Sequence, residues 1–147
     1  MPLNDVTFEE INESEFGGYL FKRGRGKTFS FSKPWSMRYV VVNRKAMNIS
    51  HYEERAKHRE GYSSKDLLSL EGAQISELPQ SDSGKEFSFQ VTVLPGQSNE
   101  VCLVYSTLTE TFYNHWLDAL RGLATTARAT SAAVQGGVGV VIHIYSI

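Results

Sequence analysis

Apolar residues recur along this 147-residue chain at two spacings, and the change from one to the other falls just before Thr107. Upstream the period is two. Residues 86–94 (EFSFQVTVL) alternate strictly, setting Phe87, Phe89, Val91 and Val93 against Ser88, Gln90 and Thr92, the pattern of a half-buried strand. Residues 18–23 and 37–42 are rich in β-formers and predict two more strands. Residues 46–53 alternate Met47, Ile49 and His51 against Asn48, Ser50 and Tyr52, with a turn at Asn43-Arg44-Lys45 before them. Residues 66–78 break at Gly72 into strands over 67–70 and 73–78. After the Pro95-Gly96 turn, residues 101–105 make a seventh. The charged stretch 54–65 reads as a surface loop and 79–85 as a polar turn region. Downstream, Leu108, Phe112, Trp116, Ala119, Leu120, Leu123 and Ala127 recur at steps of three and four. They predict an amphipathic helix of about five turns, apolar on one side. Thr107-Leu108-Thr109-Glu110 ahead of it has the form of a capping box.

Seven strands followed by one helix make an α+β, mainly β arrangement: a strongly bent antiparallel sheet with the helix closing one open end. The length fits one domain with a real core. Residues 1–15 are acidic, with Phe8 and Ile11 at helical spacing, and read as a short helix or a loose lead-in. At the other end AAVQGGVGVVIHIYSI is apolar and β-branched but too short to cross a bilayer, which takes about 20 residues. It reads as an added strand or docked tail, or as a linker or non-native segment. The expected division is an acidic extension over 1–15, a folded domain over 16–127 and a tail over 128–147.

The net charge of −1 hides a polarised chain. Most of the Lys and Arg lie between residues 22 and 59, whereas the stretches on either side are acidic. A molecule so polarised orients in the field of an anionic surface. The N-terminus is acidic and lacks an apolar h-region, so a cytoplasmic location is expected. The one cysteine, Cys102, excludes an intrachain disulfide and a Cys-rich zinc site, and its apolar surroundings predict a buried small hydrophobe. His51, His58, His115 and His143 are scattered without metal-ligand spacing. No carboxylate pair or activated nucleophile stands out, so neither an enzyme nor a cofactor is expected. Trp116, flanked by Phe112 and Leu120, reads as core.

Between the first two strands lies a stretch punctuated by Gly24, Gly26, Ser30, Ser32 and Pro34. It carries Arg25, Lys27 and Lys33, with Lys22, Arg23 and Arg38 at its ends, and Phe29 and Phe31 among the charges. Gly24-Arg25-Gly26-Lys27-Thr28 is not a P-loop, because the required first glycine falls on Phe21 and no helix is predicted to follow. Cations beside exposed phenyl rings suit an anionic, partly apolar target such as a phospholipid headgroup layer. The bland alternative is a solvated strand face and a packed phenylalanine.

Taken in order, Gly18-Tyr19-Leu20-Phe21-Lys22-Arg23, Trp35 to Val42, Ile49-Ser50-His51-Tyr52, Leu70 to Ile75, Phe87 to Val91, and Trp116 before Leu117-Asp118-Ala119-Leu120 resemble a pleckstrin homology (PH) domain over roughly residues 16–126. The first string and Tyr52-Glu53-Glu54-Arg55 are similar to the N-terminal domain of Akt-type protein kinases. The resemblance implies a non-catalytic, monomeric module that recruits its parent protein, such as a kinase, to phosphoinositide-bearing membrane. The family pattern is a first-strand Lys followed by a second-strand Lys/Arg-x-Arg. Lys22 and Arg38 match its ends, whereas the middle base falls on Ser36. Arg23, Arg25, Lys27 and Lys33 are the cations that would compensate. The competing reading is a protein-interaction domain on the same fold with weak or no lipid binding; a nucleic-acid partner is disfavoured because no recognised motif is present.

Overall fold

The structure is a computed structural model and describes residues 6–23, 34–64, 66–123 and 145–147. The chain forms β1 (Glu9–Glu10), β2 (Glu15–Arg23), β3 (Trp35–Asn43), β4 (Asn48–Tyr52), α1 (Arg55–Arg59), β5 (Asp66–Ser69), β6 (Gln74–Leu78), α2 (Gln80–Ser83), β7 (Ser88–Val93), β8 (Val101–Ser106), α3 (Glu110–Leu123) and β9 (Tyr145–Ser146). All the pairings are antiparallel, in the order β5-β4-β3-β2-β8-β7-β6-β9, with β1 also on β2. One edge of β2 pairs with β3 along its whole length. Its other edge is shared: Phe16 and Gly17 pair with β1, and Phe21 and Lys22 pair with β8.

The alternation does what the sequence asks of it. Phe16, Leu20, Val40, Val42, Ile49, Phe89, Val91, Val93, Leu103 and Tyr105 meet in one core, and α3 adds Trp116, Leu117 and Leu120 from its apolar stripe. Trp116 sets its ring edge-on to Phe8 at 5.5 Å and to Phe16 at 5.7 Å, and its indole N–H donates to the Thr7 carbonyl at 2.8 Å. Trp116, Ala119, Leu120 and Leu123 of the expected stripe face the core; Leu108 instead precedes α3 and is exposed, and Ala127 lies outside the described residues. The strand segments and the turn after β3 are near where they were expected. In that turn Asn43 Oδ1 accepts from the amides of Lys45 and Ala46 at 2.9 and 2.8 Å.

Several expectations are corrected. The segment read as a short helix or a loose lead-in forms no helix over its described residues 6–15; it holds the short strand β1, with a tight turn from Ile11 to Glu15 after it. Phe8 therefore joins the main core, while Ile11 packs on a second cluster of Tyr19, Tyr39 and Val41 on the outer face of the β2–β3 hairpin. Gly18 permits this crossing, because a Cβ there would clash with the Thr7 carbonyl oxygen. The stretches read as loop and turn contain the short helices α1 and α2. The strand read from residue 86 begins at Ser88, since Phe87 takes a φ of 53° and turns the chain first. Cys102 is exposed, because the residues of β8 that reach the core are Leu103 and Tyr105. The capping box is not formed as read. Thr109 caps α3, its Oγ1 accepting from the Phe112 amide at 3.3 Å and its carbonyl from the Tyr113 amide at 3.1 Å; Thr107 Oγ1 donates instead to the Thr109 carbonyl at 2.8 Å.

Candidate functional site

The β2–β3 hairpin opens at Arg23 and Trp35, and its register decides which cations share a face. Lys22 stands opposite Ser36, and Leu20 opposite Arg38. Directly opposed residues project to the same side. Leu20 is core, so Lys22, Ser36 and Arg38 continue the core-facing row toward the open end. Lys22 and Arg38 are diagonal neighbours, roughly 7–8 Å apart along the backbone, and both are half-buried. On its other side Lys22 registers with Tyr105 of β8, whose hydroxyl lies 2.6 Å from His51 Nε2. His51 opposes Val40 and places its other ring nitrogen 3.8 Å from Asp66. The His51–Tyr105 pair is thus a buried polar contact at the edge of the core beneath Lys22. Arg38 donates to the Met37 carbonyl at 2.9 Å.

Arg23 does not join this group. It opposes Trp35 on the outer face, its guanidinium carbon 5.6 Å from the Trp35 ring. Arg25, Lys27, Lys33, Phe29 and Phe31 lie outside the described residues, as does the Gly24–Thr28 string. Sequence reasoning missed Lys85, a lone cation in a stretch read as a polar turn. Its ammonium sits 4.7 Å over Phe21 and 5.6 Å over Trp35, and it borders a cleft of about 290 Å³ with Phe87 and Leu108. Only the chain path through α2 brings it there, and no spacing in the sequence reports that.

The acidic N-terminal segment engages a different set of bases. Arg55 grips the Glu9 carboxylate with two nitrogens, at 2.8 and 2.9 Å, and Arg59 adds a contact at 3.0 Å. Tyr39 donates its hydroxyl to the same carboxylate. Burial pushes the Glu9 carboxyl up, but the hydrogen bonds from Arg55 and Tyr39 and the nearby guanidinium charges outweigh it and hold the group below its usual range. Burial and the Glu9 carboxylate together raise the Tyr39 phenol to about 12. Glu10 pairs with Arg44 at 2.9 Å, and Glu15 faces His58 at 3.4 Å.

A family model for the PH domain matches residues 14–125. The fold is similar to that of the C-terminal PH domain of pleckstrin in complex with D-myo-Ins(1,2,3,5,6)P5, at 16% identity and a TM-score of 0.55 over 74% of this chain and 92% of that one. It is also similar to the PH domain of ArhGAP27, at 13% identity and a TM-score of 0.57 over 74% and 97% of the two chains. The PH domain of human oxysterol binding protein-related protein 11 shares 18% identity and a TM-score of 0.55 over 86% and 97%. No curated protein matches the chain.

Proposed function

The chain belongs to the PH domain family, whose members are non-catalytic modules for phosphoinositide or protein interactions, and from that premise we propose that it recruits its parent protein to membranes by binding phosphoinositide headgroups. The observation that carries this reading is the shared face of Lys22 and Arg38 at the mouth of the β2–β3 hairpin. Two cations on paired strands can close on adjacent phosphates, and arginine does so with two parallel hydrogen bonds. Ser36 takes the place of the third base, so the pocket contributes less than a full family site. Arg25, Lys27 and Lys33 supply a wider electrostatic layer, each worth about 1 kcal/mol near an anionic surface. Phe29 and Phe31 enter the interfacial region beside them. Arg23 and Lys85, stacked on Trp35, extend the same cationic rim on the outer face. The complexes of the C-terminal PH domain of pleckstrin with inositol pentakisphosphates support an anionic ring-shaped ligand for this fold. The module acts as a monomer at the cytoplasmic face. An Akt-like parent kinase is a finer reading that rests on the β2 and β4 strings alone.

Ser36 favours a second reading, in which the domain has turned to a protein partner. Liposome co-sedimentation separates the two, using mono-, bis- and tris-phosphorylated phosphoinositides at low and physiological salt beside Lys22→Ala/Arg38→Ala. Headgroup binding is expected to persist at physiological salt, rank by phosphate pattern and collapse in the double variant. Binding that vanishes with salt and ignores phosphate pattern would reduce the site to a basic surface. No binding at all would move the function to a protein partner.

A further inference from the structure

A sheet edge offers a row of backbone donors and acceptors, and folded proteins cover such rows. The edge of β6 is covered here by the far end of the chain. Ser146 registers with Gln74 and Tyr145 with Ile75, antiparallel. Beyond that pair the Gly72 amide donates to the Ile147 main-chain oxygen at 2.6 Å, and the Ile147 amide donates to the Ala73 carbonyl at 2.8 Å. The Ile147 side chain packs against the same core cluster that holds Leu70, Ala73 and Ile75. Backbone pairing with one anchored apolar side chain is the chemistry by which sheets take up extended peptides, the ladder giving affinity and the anchor giving selectivity.

We infer that the β6 edge is a strand-accepting site for an extended segment carrying a branched apolar anchor, and that residues 145–147 fill it as a tethered occupant. Two features favour the chain's own tail. Its last ten residues are mostly apolar and β-branched, the composition that suits a strand. The 124–144 stretch tethers it to α3, and a tethered segment acts at an effective concentration on the order of millimolar. An outside peptide therefore competes only when it binds more tightly than three residues do. The site lies on β6, whereas the phosphate-facing cations lie on β2 and β3, so this inference stands apart from the headgroup reading.

Backbone hydrogen exchange on the full chain tests it, with Ile147→Pro, which removes both the amide and the anchor, and Ile147→Asp, which removes the anchor alone. The probe is a labelled synthetic peptide of residues 142–147. The Gly72 amide is expected to exchange at least tenfold more slowly in the unsubstituted chain than in Ile147→Pro. Both variants should bind the peptide saturably and regain that protection, whereas the unsubstituted chain binds it weakly. Equal Gly72 exchange in the chain and in Ile147→Pro would overturn the docked tail. Native spectra in both variants with no peptide uptake would overturn the strand-accepting site.

Discussion

Glu9 sits in an acidic segment that the sequence marks only by its charge, yet its carboxylate joins three elements by accepting from Arg55, Arg59 and Tyr39. Its depressed pKa carries a definite sign. The stabilisation is fully present above the ordinary carboxylate value and is lost as pH falls through the lower native value. Glu9→Gln should cost about 1–2 kcal/mol at neutral pH, discounted for the exposure of Arg55, and the gap to the unsubstituted chain should close on acidification. Urea unfolding at a series of pH values reads this directly. Tyr39 gives the matching spectroscopic signature: one phenol titrating near 12 in the ultraviolet, moving toward 10 when Glu9 is neutralised. Gly18 works at the same scale through shape. A methyl group there meets the Thr7 backbone, so Gly18→Ala should destabilise by about 1–3 kcal/mol in the same assay.

At the scale of elements, what could be read was what repeats. Period two in β7 and three-to-four in α3 are local properties, and both elements formed around most of the residues that carry them, Phe87 and Leu108 falling just outside. The features that escaped depend on distant partners. The charges of α1 look like a solvated loop until Glu9 and Tyr19 are placed against them, the Tyr19 hydroxyl accepting from the Arg55 amide at 2.7 Å. Glu9 and Glu10 form a strand because β2 offers them an edge, which no spacing in residues 6–15 reveals. The candidate site was half legible. Lys22 and Arg38 follow from alternation once the hairpin register is known, whereas Arg23 falls on the opposite face by the same rule and Lys85 arrives from elsewhere in the chain. The start of α3 offered two threonines, and local geometry chose the second. Thr109→Ala is accordingly expected to cost about 1 kcal/mol as a lost N-cap, measured by thermal or chemical unfolding.

Across the whole molecule, charge is sorted. Among the described residues, Glu9, Glu10 and Glu15 engage Arg44, Arg55, His58 and Arg59. Under the headgroup reading, Arg44→Gln/Arg59→Gln should leave liposome binding within about twofold. Lys22→Ala/Arg38→Ala should weaken it roughly 30-fold, at about 1 kcal/mol per base. The contact between Thr7 and Trp116 has a consequence in time as well as in space. Its partners are 109 positions apart. A chain emerging from the ribosome offers Phe8 and Phe16 long before it offers the indole they pack against. Folding is then expected to wait until synthesis passes α3, with the non-local pairings closing on the order of milliseconds to seconds. Stalled nascent chains ending before Trp116 should be cut readily by protease, and those long enough to expose the whole helix should resist it.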